Sequence, residues 1–469
     1  MFSVSSKRLP RQPRIYGCLA RLAVLCATFA SVNSQAQQAL TLDQALRAAQ
    51  DGSRQLVAQD FAASASREMA IAAGERPDPT LKAGINNLPV DGPDRFSLTR
   101  DFMTMRSIGV AQEITRSDKL TARSARFDRE AEAAEAARVV ALADLRRDTA
   151  RAWLDRHYQE RMQDVLRTQR AEAGLQIEAA ESAYRGGGGG AGGGGGGGGG
   201  GRGSQADVFA ARSVVALIDD RLRQTERLLA TAKTRLARWV GADAHQALGA
   251  PPSMTTVRLE VAALQTQLAH HPQIALMVKQ EDMARAEADI AQRNKRADWS
   301  VELMVSQRGP AYSNMVSLNV SIPLQFDQKN RQDRDVAAKL AVVEQMRAQR
   351  EEATREHLAE TLGWLQQWRS DRDRLAHYDS ELLVLAADRT RAAMASYRGG
   401  SGALISVLDA RRMEIDTRME RLRLEMEAAA LWAQLEYLIP PEHESTAMAR
   451  PATGSATRSV ARAFDATEK

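Results

Sequence analysis

A helical pattern without a strong break runs from about Ser117 to Ala183 and constrains the fold more than any other feature of the chain. Gly174 is its one glycine, and no proline interrupts it. At 1.5 Å per residue, these roughly 67 residues would extend about 100 Å, which is more than the width of a compact domain. The pattern therefore predicts a rod-shaped subunit made of long helices.

The chain also contains an internal repeat, which is clearest at two glycine-containing turns. The later turn opens at Tyr397 and the earlier one at Tyr184, and an arginine directly follows each tyrosine. The two copies close on Arg411 and Arg212. Because glycine ends helices and polar residues start them, both turns are predicted as tips of helical hairpins, at 185–205 and at 397–403.

The first tip contains a glycine run at 186–201, which only Ala191 interrupts. Glycine has no side chain to bury and the most backbone entropy to lose, so the run is expected to form a mobile loop. The second copy makes its turn without such a run. Most of these glycines are therefore expected to be dispensable for the hairpin.

The first 36 residues are predicted to be a signal peptide that directs export. Basic residues precede an apolar run, and Ser34-Gln35-Ala36 offers a small-x-small cleavage site. Without the basic residues of this segment, the formal net charge of +5 falls to zero, so the basic composition gives no reason to expect nucleic-acid binding. Both cysteines also lie in the segment, which excludes a disulfide framework and a thiolate metal site from the mature chain.

Any contact with a membrane is expected to use strands, because the mature chain lacks the run of ~18 apolar residues that a spanning helix needs. Apolar and polar residues alternate over four segments, which form two strand pairs at 80–114 and 299–324. Strands of this length with one apolar face are typical of outer-membrane barrels. Four strands cannot close a barrel, so the pattern predicts that several copies of the chain share one.

The shorter helical segments have lengths that match the long ones. The segments 206–240 and 259–297, placed end to end, are about as long as the first long helix. The second long helix is predicted at about 330–397, and the segments 403–438 and 41–73 together match its length. Each subunit is therefore predicted to supply four helical columns, with strands at one end and hairpin tips at the other.

The predicted fold class is accordingly mainly α with a small β part and an internal duplication. The first structural repeat is assigned to 37–255 and the second to 256–442. The composition of 443–469 predicts a disordered tail.

The order of these elements resembles that of TolC-type outer-membrane efflux channels over nearly the whole mature chain. The Gln-Glu-Ile phrase at 112–114, the Ile-Pro-Leu phrase at 322–324 and the Tyr-Arg-Gly-Gly phrase of the second tip are similar to that family. The resemblance implies a homotrimer whose twelve-strand barrel spans the outer membrane and continues into a tunnel of twelve helices across the periplasm. It also implies three kinds of partner, namely outer-membrane lipid, a periplasmic adaptor protein and an inner-membrane RND pump that supplies the energy.

Two further phrases are similar to the branch of the family that serves heavy-metal export pumps: Asn87-Leu88-Pro89 and Met103-Thr104-Met105-Arg106. On this resemblance the expected substrates are metal cations, either Cu(I) and Ag(I) or Co, Zn and Cd. The alternative is a channel for drugs or other organic compounds. Met103 and Met105 could offer thioethers to soft Cu(I) or Ag(I), and the alternative for them is packing of a loop near the barrel.

In the family, an acid in the Val-Leu-Asp phrase of the tip helps to narrow the periplasmic entrance, and Asp409 is the matching residue. A second acid of the family is replaced by Ser406, so the ring of acids is expected to be thinner. The family's tip arginine falls at Gly402, so the resemblance does not extend to the usual latch of the closed state. The alternative for Asp207 and Asp409 is a carboxylate at a helix start, where it offsets the helix dipole. The candidate entrance and tip residues are Tyr184, Asp207, Arg212, Tyr397, Arg398, Gly399, Gly400, Asp409 and Arg411.

Other classes of function fit the sequence less well. A periplasmic adaptor would contain one helical hairpin with β-rich domains on both sides, and a purely structural coiled coil would contain no strands. The sequence has no nucleophile–base phrase, phosphate loop or carboxylate constellation, so an enzyme is not expected. His270 and His271 precede Pro272 and the other histidines are dispersed, so neither a metal site nor a cofactor is expected.

Overall fold

The computed structural model of the protein describes residues 39–187, 204–260, 264–268 and 270–439. The predicted signal peptide, most of the glycine run of the first tip and the predicted tail at 443–469 lie outside the described residues. The described part is mainly helical and contains one small antiparallel sheet, which is the fold class that the sequence predicts.

The described helices differ greatly in length. The first half of the chain contains α1 (Leu42–Gly52), α2 (Arg54–Gly74), α3 (Ser117–Gly187) and α4 (Gln205–Val240). The second half contains α5 (Leu264–Leu268), α6 (Pro272–Asn294), α7 (Gln332–His377), α8 (Leu383–Arg398) and α9 (Leu404–Glu436). A 3₁₀ turn at Gly241–His245 follows α4, and a π-helical turn at Tyr378–Leu382 joins α7 to α8.

Helix α3 confirms the long helical pattern of the sequence. It contains 71 residues without interruption, and at 1.5 Å per residue it is about 107 Å long. Helices α2, α4, α6 and α9 all pack against it. The subunit is therefore a rod, and α3 is the element that the other helices share.

Three helices differ from their sequence predictions, each for a local reason. The segment predicted as one helix at the start of the mature chain is two helices, because Ser53 is extended and its hydroxyl accepts a hydrogen bond from the backbone N–H of Leu56 (3.3 Å). The long helix predicted at 259–297 begins only at Pro272. Proline lacks a backbone N–H and is tolerated in a helix only in the first turn. The second long helix contains the π-helical turn at Tyr378–Leu382, in which the hydrogen bonds span one residue more than in an α-helix.

One antiparallel sheet contains the four strands β1 (Thr80–Asn86), β2 (Met105–Ile114), β3 (Trp299–Gln307) and β4 (Met315–Ser321). The strands lie in the sheet in chain order, so both predicted strand pairs are confirmed and the β2–β3 ladder joins them. Strands β1 and β4 lie at the two edges. Each has one side without a strand partner in the described part of the chain.

Three buried tryptophans mark the largest core, which lies near the middle of α3. Trp153, Trp368 and Trp432 come from α3, α7 and α9, and none is more than 5% exposed. The indole N–H of Trp153 donates to the carbonyl of Leu40, and that of Trp432 donates to the carbonyl of Thr256, each at 3.0 Å. These rings therefore hold the irregular segments before α1 and after α4 against the long helices.

Arg156 fixes the linker after α4 in the same region. Its side chain is only 2% exposed. The guanidinium donates to the backbone carbonyls of Ala244 (2.7 Å) and Gln246 (2.6 Å) and to the carboxylate of Glu160 (2.9 Å). A buried guanidinium is tolerated only when its N–H groups find acceptors, so the linker and Arg156 stabilise each other.

Candidate functional site

The sheet places most of its apolar side chains on one face, which also carries Arg106, Gln112 and Gln307. The register aligns Leu81 with Val110, Val110 with Leu303, and Leu303 with Leu318, so one apolar row crosses all four strands. Nine residues of this face are between 47% and 70% exposed: Leu81, Ile85, Ile108, Val110, Leu303, Val305, Val316, Leu318 and Val320. Such a patch is unfavourable in water and marks a contact with lipid or protein.

The opposite face of the sheet is polar. On it, the Nζ atom of Lys82 lies 2.8 Å from Oε2 of Glu302, and the amide of Asn86 donates to the hydroxyl of Ser107 at 2.9 Å. Ser107 and Ser306 are neighbours across β2 and β3. Alternation of an apolar and a polar face is the pattern of a barrel strand with lipid outside and water inside.

None of the helices in the described part of the chain combines the length and the hydropathy that a membrane crossing requires.

A buried ion pair joins the sheet to the helical rod. Nζ of Lys119, in the first turn of α3, lies 2.6 Å from Oδ2 of Asp298, and the two side chains are only 6% and 13% exposed. Asp298 directly precedes β3, and its Oδ1 also accepts a hydrogen bond from the backbone N–H of Arg116 (3.2 Å). The start of β3 is therefore fixed to the start of α3, at the junction between the sheet and the helices.

The loop between β1 and β2 brings together the two phrases that resemble the metal-export branch. The hydroxyl of Thr104 donates to the carbonyl of Asn87 (3.0 Å), and the amide of Asn87 donates to the carbonyl of Met103 (3.4 Å). Asn87 has a φ of 54°, in the left-handed region that asparagine tolerates better than most residues. These contacts give Asn87 and Thr104 a role in holding the loop, while the Met103 side chain is 48% exposed.

At the first tip, Asp207 caps its helix. Its carboxylate accepts the backbone N–H of Ser204 (2.9 Å), and the hydroxyl of Ser204 accepts the backbone N–H of Asp207 (3.1 Å), which is a capping box. Tyr184, the residue that opens this tip, is 47% exposed. The capping interpretation therefore accounts for Asp207.

At the second tip, the glycines of the Tyr-Arg-Gly-Gly phrase end α8. Gly400 has a φ of 73°, which a side chain disfavours. Its N–H bonds to the carbonyl of Tyr397 (3.1 Å), and the N–H of Ser401 bonds to the carbonyl of Ser396 (3.0 Å). This pair of bonds is a Schellman motif, with Gly399 as the preceding cap residue, while Arg398 is exposed in the last helical turn.

The helix ends that flank the two tips pack against each other through a small apolar cluster. Its buried members are Ala180, Val208, Ala211, Leu404, Val407 and Leu408, and Tyr397 packs on their edge. The helix ends next to the two predicted tips therefore lie together at one end of the rod.

The two arginines that close the repeats both bind glutamates of α3. Nη2 of Arg212 lies 2.8 Å from Oε1 of Glu181, and Nη1 of Arg411 lies 3.2 Å from Oε2 of Glu172. The hydrogen bond from Arg212 is the main cause that lowers the pKa of the Glu181 carboxyl. Arg411 also contacts the buried Glu414 (3.3 Å). The repeated phrases do not include these glutamates: Glu181 lies three residues before Tyr184, and Glu172 lies further back along α3.

Asp409 differs from Asp207 in its position. It is the sixth residue of α9, beyond the first turn, and its side chain is exposed. Within the described residues it has neither a hydrogen bond nor an ion pair. The interpretation of Asp409 as a carboxylate at the helix start is therefore not supported, because dipole effects fall off within the first turn.

Two histidines meet in a cavity of about 270 Å³ beside the core. The rings of His271 and His357 are 4.5 Å apart, and Nδ1 of His271 accepts the backbone N–H of Gln273 (3.2 Å). Burial and the neighbouring His357 lower the pKa of His271 to about 4. In the described part of the chain, no group of three or more His, Cys, Asp or Glu side chains is arranged to hold a metal ion.

Comparison with known proteins gives matches to solved structures; no family model and no curated protein matches the chain. The outer membrane protein VceC from Vibrio cholerae matches with a TM-score of 0.67 at 18% identity, over 85% of this chain and 95% of VceC. The MtrE outer membrane channel from Neisseria gonorrhoeae, solved in its open state, matches with a TM-score of 0.68 at 16% identity, over 85% and 88% of the two chains. The fold is that of an outer-membrane channel subunit. CusC, studied for folding and transmembrane channel formation, adds a TM-score of 0.66 at 14% identity, over 85% and 92%.

Proposed function

We propose that the protein is a subunit of a homotrimeric outer-membrane channel that gives substrates a passive path out of the cell. The observation that supports this most is the sheet, whose apolar face is exposed while its other face carries most of the polar side chains. Lipid would cover the first face and water would fill the space beside the second. No energy-coupling or catalytic role is part of the proposal.

The open edges of the sheet support the trimer. Exposed strand edges attract further strands, and four strands are too few for a closed barrel. Three copies would supply twelve strands, and the helical columns of repeats 37–255 and 256–442 would continue the barrel as a tunnel. Edge strand β4 of one copy would pair with β1 of the next.

In this arrangement the hairpin tips form the periplasmic entrance and face the adaptor protein of a tripartite efflux system, with an inner-membrane RND pump supplying the energy. The packing of the helix ends that flank the two tips supports a shared docking end. Asp409 is exposed on α9 near this end, so three copies would place a ring of carboxylates around the entrance. Because no acid occupies position 406, that ring contains one carboxylate per copy where the family has two.

The test is to purify the protein from outer membranes, to determine its mass in detergent and to record its conductance in planar bilayers. We expect a trimer that migrates anomalously in gel electrophoresis until it is heated and that opens long-lived aqueous channels in bilayers. A stable monomer with a folded sheet, or a trimer without conductance, would contradict it.

For the substrate we propose heavy-metal cations, on the resemblance of the phrases at 87–89 and 103–106. The alternative, efflux of drugs or other organic compounds, gains support from the loop contacts of Asn87 and Thr104, which explain those residues without a metal. Deletion of the gene, followed by parallel metal and antibiotic susceptibility tests, separates the two. Unchanged metal tolerance with raised drug sensitivity would favour the alternative.

A further inference from the structure

The ion pair between Lys82 and Glu302 connects two strands that are not neighbours. Lys82 lies on edge strand β1 and Glu302 on β3, and β2 runs between them. Adjacent strands are about 4.8 Å apart, so the two backbones are roughly 10 Å apart. The contact of 2.8 Å therefore requires the lysine side chain to lie across the polar face of β2.

Small residues on β2 leave room for this contact. Lys82 pairs with Gly109, and Ala111 pairs with Glu302. A Cβ atom at Gly109 would come within 2.7 Å of the carbonyl oxygen of Leu303, so this position admits no side chain. The small residues of β2 therefore leave space for the Lys82 side chain to cross this strand.

The pair holds two of the three charged side chains that the strands place on this face. The register puts Lys82, Glu302 and Glu113 there, together with uncharged serine, asparagine, methionine, threonine and small residues. Glu113 lies at the end of β2 next to α3, where the hydroxyl of Thr115 donates to its carboxylate (3.4 Å). Over most of the face, the charge is therefore decided by whether Lys82 and Glu302 compensate each other.

We propose that the Lys82–Glu302 pair sets the charge selectivity of the barrel by neutralising its polar face. This inference rests on the proposed function, in which the polar face lines a water-filled lumen. A lumen with low-dielectric walls concentrates the field of an uncompensated charge, and threefold repetition would place three such charges at one level. With the pair intact, Lys82 masks Glu302, so ions of both signs can pass that level.

The test is the reversal potential of the reconstituted full-length protein in planar bilayers under a KCl gradient. Glu302→Gln leaves the lysine uncompensated and should shift the permeability toward anions, whereas Lys82→Gln should shift it toward cations. Three unit charges about 10 Å from the permeating ion in 0.1 M salt change the cation-to-anion ratio by about fivefold. The two single variants should therefore differ from wild type in opposite directions by about that factor.

Two double variants control for structural effects. Lys82→Gln with Glu302→Gln, and the exchanged pair Lys82→Glu with Glu302→Lys, should both return the ratio to within about twofold of wild type, because neither leaves an uncompensated charge on the face. Trimer melting in detergent shows whether a variant still folds.

The outcomes separate this inference from the proposed function. Channels that form normally but show equal reversal potentials in wild type and both single variants would overturn the inference and leave the channel proposal intact. A lowered melting temperature with an unmoved potential would show that the pair only ties β1 to β3. Absence of conductance in the wild-type protein would refute the channel itself.

Discussion

The buried pair Lys119–Asp298 provides a quantitative test of how the sheet is fixed to the rod. Replacement of Lys119 by methionine keeps a long side chain but leaves Asp298 buried at 13% side-chain exposure without its counter-ion. At 2.6 Å the attraction is about 6 kcal/mol with an effective dielectric constant of about 20, and desolvation of the two ions offsets several kcal/mol of it. Loss of one partner removes the attraction, whereas the free-energy cost of desolvating the remaining ion stays.

We therefore expect Lys119→Met to lower the free energy of unfolding by about 3 kcal/mol, at the lower end of the range for broken buried pairs. The lower end applies because Asp298 keeps its hydrogen bond from the backbone N–H of Arg116. The double variant Lys119→Met, Asp298→Asn should lie within about 1 kcal/mol of wild type, since neither charge is then buried alone.

The assay is urea unfolding of the detergent-solubilised protein, followed by tryptophan fluorescence. Arg355→Met is the matched control, because the pair of Arg355 with Glu352 (3.0 Å) is more than two-thirds exposed on both sides. That control should change stability by less than about 0.5 kcal/mol. A stabilising role of the buried pair is contradicted if Lys119→Met behaves like the control, or if the double variant loses as much stability as the single one.

Four further predictions concern other parts of the chain. Arg156→Ala should cost about 3 kcal/mol in urea titrations because the linker carbonyls of Ala244 and Gln246 lose their donor, and Arg156→Lys should not restore it, since an ammonium cannot reproduce the fork of a guanidinium. Gly400→Ala should lower the stability by about 1 kcal/mol because its φ is positive, whereas Gly399→Ala, at a φ of −77°, should cost less; equal losses would contradict the argument. The folded pKa of His271 is about 4, so stability should fall as the pH drops from about 6.5 toward 4, by about 3 kcal/mol in total. His271→Asn keeps a cap acceptor and should flatten this dependence, which the same titration at several pH values would show. Asp409→Asn should lower the cation preference of reconstituted channels, and an unmoved reversal potential would exclude Asp409 from the entrance.

The elements with a regular period were predictable from the sequence. Alternation in β1 to β4 and the unbroken pattern of α3 depend on neighbouring residues alone, so they were visible before any tertiary contact was known. The break at Pro272 also had a local signal, since proline starts helices far more readily than it continues them. The π-helical turn at Tyr378–Leu382 had none, because its residues are compatible with an ordinary α-helix.

The candidate site was predictable only in part, because its partners are distant in sequence. The repeated phrases identified Arg212 and Arg411, but the acids that bind them, Glu181 and Glu172, are two of many glutamates along α3. Similarly, alternation placed Lys82 and Glu302 on a polar face, but their contact depends on the register of three strands. The local sequence pattern therefore predicts on which face a residue lies, whereas its contact partner depends on how distant segments pack together.

In the proposed channel of three copies, the two open edges of the sheet have a genetic consequence. A subunit whose β4 edge is blocked, for example by proline on the side that faces the next copy, could still accept a neighbour at β1. Such a subunit would enter mixed assemblies with normal subunits and leave each of them with an unsealed seam. Because most random trimers made from equal amounts of both would contain at least one defective copy, edge variants should be dominant over the wild-type allele, whereas variants that prevent folding should be recessive.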